Sequence, residues 1–231
     1  MKKKCIVTGL LLAVTLPAAA QDKEEDRVDN AGTVMKEILA APDSIPQSVL
    51  DKADCVVVLP SVKKFAIGIG RSYGRGVMTC RGEKDLKGKW GAPTMMAPEG
   101  ASAGLQLGGE ATDFVLLLMS SQSASSILSS KVKLGGDAPA AAGPVGRNAS
   151  AESDVAMKAE ILTYSRAKGA FAGVSLEGST LRPDNDANKH LYGKEIAAKD
   201  IVMGGGMPAP PSASALIATL DKASPVNKSK G

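Results

Sequence analysis

The sequence predicts an α+β fold: an antiparallel, β-rich barrel or sandwich with flanking N- and C-terminal helices. Three observations carry this. Strand-like runs follow one another through short turns, which argues against alternating βαβ units. Helical spacing falls mainly at the two ends of the chain. Aromatics make up only 3% of residues while glycines number 25, so the core must be aliphatic and packed close to backbone, as in a small, tightly curved sheet.

The length, 231 residues, suits one ordinary domain or two small ones. Hydrophobic residues at 44% and charged residues at 23% exclude a disordered chain and a polytopic membrane protein. The first twenty residues read as a secretory signal peptide: Lys2–Lys4, an apolar run over 6–16, then Ala18-Ala19-Ala20 as the cleavage site. Cleavage after Ala20 predicts a periplasmic or secreted product, and no later run is long enough to span a bilayer. Without the three leader lysines, the chain carries 25 basic and 24 acidic residues, a net charge of +1. That gives no strong field for nucleic acid. Cys55 and Cys80 remain, either as a disulfide or as two buried thiols.

The elements follow in order. Residues 21–43 form the N-terminal helix, with Val28, Ala31, Met35, Ile38 and Leu39 on one face and Pro42 at its end. A short helix starts at 44–46. Val56–Leu59 is a buried strand ended by Pro60, and Phe65, Ile67 and Ile69 alternate with small residues. Residues 72–74 turn the chain, and 75–81 return as a strand. Leu105 and Leu107 alternate again, 114–119 is an apolar run, and 120–130 is a helix. Residues 135–148 form a loop, 161–166 and 170–177 two strands, and 184–192 a short helix. A Gly/Pro linker, a short helix over 213–220 and a polar tail fill 204–231.

Several motifs suggest chemistry. Gly100, Ser102 and Gly104 match a nucleophile elbow, for which His190 is the one available histidine, but a strand rather than a helix follows. The bland alternative is a small-residue turn. Asp184, Asp186, Asn188 and Glu195 fall on calcium-loop positions, but Lys189 stands where the loop needs glycine, and a capped short helix explains them as well. Gly68, Gly70 and Gly74 miss the dinucleotide-loop spacing. No zinc pattern occurs, and neither metal nor cofactor is expected. The remaining constellation is electrostatic: Lys63, Lys64, Arg71, Arg75 and Arg81 with no acid between 61 and 82, and Arg166 and Lys168 around a later turn. Near an anionic bilayer each is worth ~1 kcal/mol, in a salt-sensitive way. A solvated charged face is the alternative reading.

The stretches GIGRSYGRGVMTCR (68–81), WGAPTMMAPEGASAGLQLGGEATDFVLLLMS (90–120), GPVGR (143–147), ILTYSRAKGAFAGVSLEG (161–178) and NKHLYG (188–193) resemble the SYLF domain family. The resemblance implies a SYLF-like domain over 44–203, and bacterial members similar to this chain are exported and called lipid-binding. It implies binding of phosphoinositide-like or other anionic phospholipid without catalysis. Yeast members bind actin, which does not carry over to an exported bacterial chain. Eukaryotic members are thought to use a basic N-terminal helix at the membrane. Here residues 22–37 hold six acids against three bases, which leaves Lys63–Arg81 as the better lipid site.

The expected function is therefore non-enzymatic binding of anionic lipid head groups at a membrane surface. The alternatives are an envelope protein with a protein partner and, more remotely, a serine hydrolase using Ser102 and His190.

Overall fold

The computed structural model describes residues 18–65, 71–83, 85–99, 111–146, 158–167, 170–174, 176 and 178–229, with backbone alone at 18–20, 63–65 and 71–73. The chain opens with α1 (Ala18–Ala40) and α2 (Gln47–Leu50), then β1 (Cys55–Phe65), β2 (Arg71–Tyr73), β3 (Gly76–Cys80), β4 (Thr94–Glu99) and β5 (Ala111–Leu118). Next come α3 (Ser121–Ser129), β6 (Val132–Lys133), β7 (Ala140–Ala142), β8 (Ile161–Ala167), β9 (Ala170–Gly173) and β10 (Thr180–Pro183). The last elements are α4 (Asn185–Tyr192), α5 (Ala198–Met203), a 3-10 turn (Pro211–Ala213) and α6 (Ser214–Ala223).

All the strands join one sheet in the order β6-β10-β4-β3-β1-β5-β8-β7, with β2 added to β1 and β9 to β8. Every pairing is antiparallel except β7 with β8. The fold is α+β, as the sequence predicts. The described strands curl into a half-barrel, with β6 and β7 at the two ends of the strand order.

The central strand explains the layers. Val56 and Val58 face one side and pack with α1, α2, α4 and α6. Cys55, Val57 and Leu59 face the other and pack with α3 and α5. With both faces covered, the run is continuously apolar and not alternating. Cys55 and Cys80 are register partners on β1 and β3, fully buried, and joined as a disulfide.

α1 buries Val28, Ala31, Met35 and Ile38 completely. A Cβ at Gly32 would lie 2.9 Å from the Leu216 nitrogen, so glycine lets α6 approach at backbone distance. α1 spans Ala18–Ala40, so three of its residues lie ahead of the expected cleavage point.

Several boundaries differ from the sequence reading. β1 passes through Pro60, and a register shift between Leu59 and Val62 absorbs the residue that cannot donate to the ladder. Ser61 takes a φ of 50° there, and its N–H donates to Asp113 Oδ1 at 2.8 Å. Residues 71–73 are strand and not turn, so the chain breaks at Gly74–Arg75. The expected loop 135–148 contains β7; a Cβ at the adjoining Gly143 would lie 2.1 Å from Tyr164 Cζ. β4, β6, β10 and α5 were not expected. The alternations expected at 67–69 and 105–107 lie outside the described residues.

The polar tail is docked. Ser224 and Asn227 are buried, Asn227 Nδ2 donates to Asp54 Oδ1 and Leu86 O, and Lys228 Nζ reaches Asp51 Oδ2 at 2.7 Å. Among the described residues, no helix is long and apolar enough to cross a membrane.

Candidate functional site

Strand direction decides which basic residues meet. β1 runs from Cys55 at one end of the sheet to Phe65 at the other. Its pairing sets Lys63 opposite Tyr73, Lys64 opposite Ser72 and Phe65 opposite Arg71. Lys63 is also level with Ala111 on β5. Asp113 on β5 pairs with Arg166 on β8, Glu99 with Thr180, and Thr180 with Lys133. Lys63, Lys64, Arg71, Lys133 and Arg166 therefore share one end of the sheet.

Arg166 is already committed at that end. Its Nη2 and Nε donate to Asp113 Oδ2 at 2.7 and 3.1 Å, and its Nη1 pairs with Glu37. Burial works against its charge, but Asp113 and Glu37 outweigh it and hold the guanidinium more firmly protonated. The clamp ties α1 to the β1 bulge. Arg75 lies further along the sheet, with Nε 2.6 Å from Asp184 Oδ2, and this carboxylate also caps α4. Lys168 lies outside the described residues.

Arg81 corrects the sequence reading most clearly. It sits at the opposite end of the sheet, 0% exposed. Its Nε donates to Ala53 O, its Nη2 donates to Ser224 Oγ at 2.6 Å, and its guanidinium lies over the Trp90 ring. Burial lowers its pKa, against the nearby charges of Asp51, Asp54 and Asp221. It is a core residue and cannot meet a lipid head group.

Two features at the Lys63 end escaped the sequence reading. The first is a charge cluster: Lys131 Nζ donates to Glu99 Oε2 at 2.7 Å, and Arg182 Nε donates to Glu99 Oε1 at 2.5 Å. These bonds hold Glu99 down to about 2. Arg182 is raised in turn by Glu99, with weaker help from Asp184 and Asp186. Two cations on one carboxylate leave a positive surplus. The partners stand 32 and 83 residues from Glu99, a spacing that leaves no local signal.

The second is a narrow apolar pocket on the α3/α5 side of the sheet. Leu59 and Val62 from β1, Phe114 and Leu116 from β5, Leu134 and Leu181 line it. Glu99, Ser179 and Thr180 bring polar groups to it, and all three are partly or more exposed. It encloses only about 30 Å³.

The remaining motifs gain little. Ser102 lies outside the described residues. His190 sits on α4, half-buried, and its side chain makes no hydrogen bond among the described residues. Asp184 is spent on Arg75 and the helix cap, while Glu195 pairs with Lys189 at 2.6 Å. No cluster of three metal-ligating side chains occurs among the described residues.

The fold is a curled α+β half-barrel with a charged and partly apolar sheet end. The chain belongs to the Ysc84 (SYLF) family: the family profile, described as Las17-binding protein actin regulator, matches residues 99–223, more than half of the chain. Protein YSC84 of Saccharomyces cerevisiae is 33% identical over 205 residues, covering 87% of this chain and 43% of its own length. LAS seventeen-binding protein 3 of the same yeast is 36% identical over 188 residues, 80% of this chain and 40% of its own. Human SH3 domain-containing YSC84-like protein 1 is 34% identical over 182 residues, 78% of this chain and 52% of its own. The chain thus spans about half or less of these relatives.

Proposed function

We propose that this protein is a non-enzymatic binding module that docks on anionic phospholipid through the sheet end carrying Lys63, Lys64 and Arg71, on the outer side of the cytoplasmic membrane. The observation behind it is the register that places these three cations on paired strands at one end. Three charges near an anionic surface supply about 3 kcal/mol, enough for salt-sensitive association. α1 is a poor rival site, because its apolar residues are spent on the core and its exposed side is acidic. Export rests on the leader-like residues 1–20.

Flotation with anionic and neutral liposomes at two salt concentrations tests the reading. Wild type is expected to float with anionic liposomes at low salt, and Lys63→Glu with Arg71→Glu is expected to stay behind. Equal flotation of this folded double variant overturns the site.

A second reading is a protein partner. The family's description, Las17-binding protein actin regulator, favours it. Capture of one defined protein in the absence of lipid, together with failed flotation, would establish it instead.

A further inference from the structure

We infer that residues 227–229 are a releasable strap over a cleft at the sheet end opposite Lys63, and that the cleft otherwise takes an extended segment of another protein carrying a carboxamide followed by a lysine. One wall is the turn after α2, at Asp51 and Asp54. The other is the turn between β3 and β4, at Leu86 and Lys87.

The strap's own contacts define the chemistry of the cleft. Asn227 Nδ2 donates to Asp54 Oδ1 at 2.7 Å and to Leu86 O at 2.9 Å. The Lys228 N–H donates to Asp51 O at 2.6 Å, and its Nζ reaches Asp51 Oδ2 at 2.7 Å. All four wall atoms are acceptors. Asp51, Asp54 and Leu86 are buried, so whatever covers them must bring donors. A carboxamide supplies two N–H groups and a lysine a mobile ammonium. A carboxylate in either place would face Asp54 or Asp51 and be repelled. Lys87 Nζ lies 3.5 Å from Ser229 O, so the next position disfavours a further cation. The cleft thus reads one amide and one ammonium, and not a basic run.

The manner of attachment makes the strap releasable. Ser224 is fixed: its N–H donates to Leu220 O, and its two oxygens accept from Arg81 and Trp90. Pro225 and Val226 follow, both exposed. Among residues 225–229 Asn227 is the one that is buried, so no apolar side chain anchors the segment. Hydrogen bonds alone hold it, and water replaces them when it lifts, which keeps their net worth small. The strap opens from Pro225 while α6 and Ser224 stay in place.

Hydrogen exchange and a peptide titration, both on the full chain, test this. The Lys228 amide is expected to exchange at least about a hundredfold faster than the Val57 amide of the central strand, at a rate insensitive to dilute urea. The peptide is acetyl-Pro-Val-Asn-Lys-Ser-amide, the sequence of 225–229, followed through the amide resonances of Asp54 and Lys87. It is expected to bind the Asn227→Ala, Lys228→Ala double variant with a Kd of about 1 mM. Wild type is expected to bind about tenfold more weakly, because the tethered strap competes. The same peptide carrying Asn227→Asp and Lys228→Glu is expected not to bind.

Exchange of the Lys228 amide only on global unfolding overturns the strap, and this is read on wild type alone. Equal binding to wild type and double variant overturns the competition. No binding to the folded double variant, or equal binding of the acidic peptide, overturns the cleft. The cleft lies remote from the Lys63 end, and the peptide and liposome tests stand separately.

Discussion

The Arg81 guanidinium lies 4.3 Å from the centroid of the Trp90 ring, and both side chains grip Ser224: Arg81 Nη2 donates to its hydroxyl and Trp90 Nε1 to its carbonyl. Ser224 passes the contact on by donating to Asp51 Oδ1. The chain beyond α6 is thereby fastened to the end of the sheet opposite the candidate site.

Arg81→Ala is expected to lower stability by about 3 kcal/mol, because it removes the buried hydrogen bonds to Ala53 and Ser224 and the stack on Trp90. Arg81→Lys recovers little, since an ammonium cannot stack flat on the indole while reaching both Ala53 and Ser224. Trp90 is the one tryptophan of the chain, so its fluorescence during urea unfolding reads both variants directly.

The Cys55–Cys80 disulfide closes a loop across 25 residues. Its loss is expected to cost ~3 kcal/mol, chiefly by freeing the unfolded chain. Because both cysteines are fully buried, mild reductant leaves the folded protein unchanged and lowers the midpoint only once unfolding exposes the bond. Urea melts of wild type with and without reductant, beside Cys55→Ala with Cys80→Ala, measure this. An intact mass two hydrogens below the reduced value identifies the bond.

Acid is expected to weaken the Glu99 cluster. Its carboxyl falls from 4.5 unfolded to about 2 folded, so its contribution is complete above pH 4.5 and is lost as pH drops toward 2. Glu99 is 38% exposed, and solvent screening holds the effect below about 1 kcal/mol. Asp54 slopes the other way. Burial raises its pKa, so the folded state binds that proton more tightly, and acid favours folding there. Glu99→Gln should flatten the acid limb in melts between pH 2 and 5 and leave the opposite slope of Asp54.

The legible parts of the sequence were those in which one segment carries its own pattern. α1 shows its face through residues three and four apart, and Ser120 announces α3 by capping it through the Ser123 amide. β10 shows nothing comparable: it is four residues long, and its meaning lies in pairing with Glu99, 81 positions away. The basic run over 61–82 illustrates the limit at the site. Along the chain it is one cluster. In the sheet, the reversal between β1 and β3 spreads it from the Lys63 end to the opposite edge, where Trp90 and Ser224 bury Arg81. Nothing in residue type separates Arg81 from Arg71; contacts 143 residues away do.

The packing of α1 against α6, with the tail pinned to Asp51 and Asp54, also fixes the order in which the molecule can be completed. Asn227 meets Asp54 at a separation of 173 positions. A nascent chain that has made α1 and the central strands still has one flank of its sheet bare until the last helix is synthesised. Such distant closures slow the search for the native state, and they leave Val56, Val58 and the inner side of α1 open to unwanted contacts meanwhile. Completion of this fold therefore waits on the meeting of α1 and α6, which lie far apart in sequence.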